Sequence, residues 1–168
     1  LDKAPKPGDS PVPLLDRQTI PSFYSCLFRW LCSLFRAELA ASVEDRSRLD
    51  GVHRCACVFT KLVLLPKRAE KGSVLLKPIV QGAHGFLESL SAFDRQGLHQ
   101  HEAVTQILKE LQKGVKHLQF ICSDCKTQKS TFLASKVPAL KRSVERFNWK
   151  CLLWQHNKDG TKVQMGSL

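Results

Sequence analysis

Apolar residues return every three or four positions along most of the chain and nowhere alternate over a useful length, which predicts helices rather than strands. The first run opens at Thr19, with Pro21 suited to a first helical turn, and carries Ile20, Phe23, Tyr24, Leu27, Phe28, Leu31, Leu34, Phe35 and Leu39 at that spacing. Because apolar side chains cover much of its circumference, this helix is expected to be central in the packing. A polar, turn-like stretch from Glu44 to Gly51 separates it from a second apolar run, Val52 to Leu65, which stops at Pro66 before a charged connector. A third helix is predicted from Val74 to Phe93, with Pro78 tolerable near its start and with Gly82 and Gly85 allowing a neighbour to approach closely. A fourth runs from about His101 to Cys122, with Val104, Ile107, Leu108, Leu111, Val115, Leu118 and Cys122 on one face.

The last helix has the most regular spacing. Val137, Leu140, Val144, Phe147, Cys151 and Trp154 define one core stripe in alternating steps of three and four. At about 100° per residue, Arg142, Arg146 and Lys150 are expected on the opposite side, with Trp149 and Leu153 among them. The fold class is therefore all-α, with antiparallel helical hairpins as the coarse arrangement. Residues 1–13, with four prolines, read as an extended linker, 14–157 as a helical domain of about five helices, and 158–168 as the start of a flexible tail.

Charge narrows the partners. The 168 residues hold 26 Lys and Arg against 15 Asp and Glu, a net charge of +11. Between residues 126 and 162 nine Lys and Arg face two acids, so +7 of it lies there. Such an excess repels itself unless something acidic relieves it: nucleic acid, an anionic membrane face or an acidic protein. Arg29 and Arg36 interrupt the apolar stretch from Ile20 to Leu39 before it can span a bilayer, and nothing resembles a secretory signal. Seven cysteines, several in apolar runs, fit a reducing, intracellular compartment, although length and helix count also permit a secreted four-helix cytokine, which paired cysteines would favour. The start at Leu1 and the end at Gly166-Ser167-Leu168 suggest a piece of a larger protein.

The candidate site follows from that concentration of charge. Lys126, Lys129, Lys136, Lys141, Arg142, Arg146 and Lys150 are candidates for phosphate contacts with double-stranded DNA, giving affinity without base readout; as a basic helical face they would otherwise be plain solvated surface. Trp149 and Leu153 are candidate anchors for a partner, or a second packing surface of a helical repeat. Cys122-Ser123-Asp124-Cys125 is one CxxC knuckle without the second pair that structural zinc requires, even with His117 and Cys55-Ala56-Cys57 in the chain, so no metal or other cofactor is expected. His99-Gln100-His101 reads as a polar helix start. No Ser-His-Asp order, phosphate-binding glycine loop, HExxH or kinase signature appears, so an enzyme is not expected.

Several runs resemble the C-terminal helical part of the Fanconi anaemia group D-two family: Pro13-Leu14-Leu15-Asp16-Arg17-Gln18-Thr19, Phe28-Arg29, Ala37-Glu38-Leu39, Leu118-Gln119-Phe120-Ile121-Cys122 with Lys126, and Val137-Pro138-Ala139-Leu140-Lys141-Arg142-Ser143. The resemblance spans the chain in order and is most specific in the last third. It implies part of an α-solenoid that pairs with the Fanconi anaemia group I protein as a nuclear heterodimeric clamp on duplex DNA in interstrand-crosslink repair. It also implies regulation by ubiquitination machinery acting on a region outside this chain, and a C-terminal part that meets the partner and lines the DNA. The chain departs from the family in a shorter polar stretch at Glu44 to Gly51 and in Asp124-Cys125, which makes the CxxC a local feature. A helical protein-interaction module without direct DNA contact is the alternative.

Overall fold

The computed structural model describes residues 19–65, 72–90, 102–123 and 131–158, and all regular structure among them is helical. In chain order the helices are α1 (Thr19–Ala41), α2 (Leu49–Leu64), α3 (Leu76–Ser89), α4 (Glu102–Ser123) and α5 (Thr131–Lys158), with single 3-10 turns at Arg46–Arg48 and Gly72–Leu75. The expected linker at 1–13, the connector after Pro66, Phe93, His99 and His101, Cys125, and the tail beyond Lys158 lie outside the described residues.

Hydrogen bonding at helix ends sets several boundaries differently from the sequence pattern. At the end of α1, Ser42 N–H donates to the Glu38 carbonyl at 2.9 Å and Asp45 N–H to the Ala41 carbonyl at 3.1 Å, which occupies carbonyls a helix end leaves open. The Asp45 carboxylate then accepts from Ser47 N at 3.0 Å and Ser47 Oγ at 2.7 Å, and these bonds hold its carboxyl below the usual carboxylate range. The resulting turn leads directly into α2, which begins at the buried Leu49 rather than at Val52. Helix α5 begins six residues before Val137 and continues through Pro138. Proline removes the donor that would serve the Ala134 carbonyl; both residues are exposed, so water can take that bond.

Four fully buried phenylalanines knit α1, α2 and α3 together. Phe59 and Phe86 stack with ring centroids 4.2 Å apart, Phe35 tilts against Phe86 at 4.5 Å, and Phe28 meets Phe59 edge-on at 6.3 Å. Gly82 is what lets the Phe28 ring lie against α3, because a Cβ there would collide with it. Gly85 was expected to serve a similar close approach, but a Cβ there would meet nothing within 4 Å.

Contacts between helices fix their neighbours. Tyr24 hydroxyl donates to the Leu62 carbonyl across α1 and α2, and burial pushes its pKa up to about 12. Arg36 Nε donates to Ser89 Oγ at 3.0 Å across α1 and α3, and Thr60 Oγ1 donates to the Glu110 carbonyl at 3.0 Å across α2 and α4. Gln112 lies beside Cys151, and Lys141 and Glu145 lie close enough to Cys122 to act on its charge, across α4 and α5. Helix α1 is less central than its apolar content implied: one stripe is buried, while Phe23 and Trp30 are 62 % and 58 % exposed.

The six described cysteines, Cys26, Cys32, Cys55, Cys57, Cys122 and Cys151, are all free thiols. Burial raises Cys55 and Cys151 to about 11, so both are neutral, small apolar core groups rather than nucleophiles or disulfide staples. No described helix is long and apolar enough to cross a membrane.

Candidate nucleic-acid interface

The six-residue stripe seats α5 on the rest of the molecule. Val137, Leu140, Val144, Phe147 and Cys151 are buried and Trp154 partly so, and Leu133 extends the row one turn earlier. That seating decides where the cations point. Lys136, Lys141 and Arg142 are exposed, and among the described residues none of them has a carboxylate within ion-pair distance. Glu145, also exposed, is the acid next to them in sequence.

Arg146 and Lys150 do not share the face of Arg142. Steps of four residues advance about 40° around a helix, so the three cations wind from the outer side toward the seam with α3. Arg146 Nη1 donates to both carboxylate oxygens of Glu88 at 3.1 Å, and Lys150 is half-buried in the shallow depression they line. Glu88 also accepts from Ser143 Oγ at 2.7 Å, and that hydroxyl lies 2.8 Å from His84 Nδ1. Since a hydroxyl has one proton, Ser143 donates to Glu88 and accepts from His84 in the arrangement that satisfies all three groups. The buried Ser143 thus fixes the carboxylate that holds Arg146, and one positive charge of the stripe is largely matched at home.

The apolar pair is also rearranged. Trp149 is 55 % exposed, Leu153 is half-buried, and Leu152, which the spacing did not single out, is 50 % exposed beside Trp149 one turn along. Lys126 and Lys129, expected to lead into the stripe, lie outside the described residues. Ser143 could have been found from its position three residues after Leu140, at the edge of the core stripe. Glu88 and His84 could not, because each lies more than fifty residues away in sequence.

Comparison with models of protein families, with curated proteins and with solved structures finds no match. Functional assignment therefore rests on the residues themselves. Among the described residues no group of three or more His, Cys, Asp or Glu could hold a metal ion. The chemistry that α5 offers is that of fixed positive charge beside an exposed aromatic group.

Proposed function

We propose that this chain is a non-enzymatic scaffold segment that binds the phosphate backbone of duplex DNA through α5, within a nuclear heterodimeric clamp of the kind its sequence resemblance implies. The observation that carries this reading is that Lys136, Lys141 and Arg142, spread around the exposed arc of α5, have no acidic partners among the described residues. Arg146 and Lys150 form its edge, where Glu88 tempers the charge, and Lys126 and Lys129 precede it in sequence. Cations at this spacing give affinity by releasing counterions from phosphate and do not read bases.

We also infer that the helices stack as repeats of an α-solenoid, with α1–α2 and α3–α4 as successive antiparallel hairpins and α5 opening a third. The order of contacts supports it. Phe28 with Gly82 and Arg36 with Ser89 advance together along α1 and α3, as do His84 with Ser143 and Glu88 with Arg146 along α3 and α5. By contrast, Cys122 near Lys141 and Gln112 beside Cys151 run in opposite senses along α4 and α5. First helices then stack on first helices, as repeats do.

The test is titration with duplexes of unrelated sequence at several salt concentrations. Three phosphate contacts give a slope of log affinity against log salt of roughly −3. Replacing Lys136, Lys141 and Arg142 by Ala should flatten the slope by about that amount for every sequence. An unchanged slope would remove α5 from the DNA surface. A second reading, favoured by Trp149 and Leu152, makes this face the seat of a protein partner, in the resemblance the Fanconi anaemia group I protein; salt-insensitive association lost in Trp149→Ala would support it.

A further inference from the structure

A groove of about 520 Å³ opens to solvent between α1 and α3, lined by residues that the DNA reading does not use. This lies within the roughly 300–1,000 Å³ usual for ligand sites. Arg29 and Arg36 stand on its α1 rim, both exposed, and seven helical residues set them about 10 Å apart along the axis. The floor between them is mainly apolar, with the half-buried Cys32 over the buried Phe28 and Pro78, and opens at Gly85, where the missing side chain leaves free space.

The two guanidinium groups are held differently and both remain available. Arg36 Nε donates to Ser89 Oγ at 3.0 Å, and Ser89 Oγ in turn donates to the Gly85 carbonyl at 3.0 Å, which fixes one N–H and leaves the other four of the guanidinium for a ligand. Arg29 has a long contact from Nη2 to Cys26 Sγ at 3.5 Å. Among the described residues neither arginine has a carboxylate within ion-pair distance. Two cations bracketing an apolar floor match a ligand with the converse pattern, two anions bracketing aliphatic groups.

We propose that this groove binds an acidic peptide segment in extended, polyproline II geometry. Residues three apart in that geometry share an edge and lie about 9 Å apart, so one edge can bring two carboxylates to Arg29 and Arg36. A neighbouring edge lays the intervening aliphatic or proline side chains on Cys32 and into the space at Gly85. A phosphate backbone supplies the anions but no aliphatic groups to cover the floor, so peptide is favoured over nucleic acid.

The experiment is fluorescence anisotropy of the full 168-residue chain with a short labelled peptide holding two glutamates three positions apart, with valine and proline between them. Saturable binding is expected, weakened about tenfold or more by the Arg29→Glu, Arg36→Glu double variant and by replacing the peptide's glutamates with glutamines. Gly85→Leu, which fills the floor, should weaken it similarly with circular dichroism and Tm retained. The variant with Ala at Lys136, Lys141 and Arg142 should bind the peptide as the parent does, which separates this site from the α5 surface. Absence of binding, binding indifferent to Arg29 and Arg36, or displacement of the peptide by duplex DNA through those same arginines would overturn the proposal.

Discussion

Helices α1 and α5 both pack on α3, yet their outward faces differ in kind. On α1, Ile20, Phe23, Leu27, Trp30 and Leu34 repeat the three-and-four spacing of its buried stripe, and Phe23 and Trp30 are more than half exposed. On α5 the outward arc holds Lys141 and Arg142 with Trp149 and Leu152 as an apolar island between them, and Lys136 is exposed on the other flank of the buried stripe. Large exposed apolar side chains such as Phe23 and Trp30 are costly in water and mark a surface suited to association. A cationic face is well solvated by itself and is selective for anions. One end of this packed set therefore offers hydrophobic contact and the other long-range attraction.

The comparison can be broken most forcefully by reversing charge on α5. Lys141→Glu with Arg142→Glu should weaken duplex binding about a hundredfold or more at low salt, whereas Phe23→Glu with Trp30→Glu should leave the salt slope unchanged; equal losses from both pairs would show that the faces do not divide the work. Next in size is the seam where α1 meets α3. Gly82→Ala drives a methyl into the Phe28 ring and should cost about 1–3 kcal/mol in denaturant unfolding, while Gly85→Ala, with open space around it, should gain about 0.5–1 kcal/mol.

Smaller effects sharpen the division. Glu88→Gln releases Arg146 from its carboxylate and should steepen the salt slope of duplex binding by about one unit, with a stability loss of about 1 kcal/mol; an unchanged slope would mean that Arg146 stays clear of phosphate. Phe23→Glu with Trp30→Glu should reduce concentration-dependent self-association in sedimentation velocity and shift stability by only about 0.5 kcal/mol per site, because neither ring is in the core.

Much of this was legible because helical periodicity is a local property. The α5 stripe from Val137 to Trp154 is the clearest case: its spacing alone picks out residues that the fold buries wholly or in part. The two faces of α1 show the limit. Both carry the same spacing, and only the position of α2 and α3 decides that Phe28 and Phe35 are covered while Phe23 and Trp30 are not. Arg146 shows another limit, since its outward direction depends on an angular drift along α5 and its charge on Glu88, 58 residues away. Likewise, two glycines three residues apart looked alike in sequence, and one admits a phenylalanine ring while the other opens a groove.

The most direct test of the proposed DNA surface is lysine acetylation footprinting of the chain with and without a saturating duplex. Protection of Lys136 and Lys141 on α5, with Lys61 on α2 and Lys116 on α4 still modified at their free rates, is the predicted result. Unchanged reactivity at Lys136 and Lys141, or protection centred on Lys61 and Lys116, would contradict it.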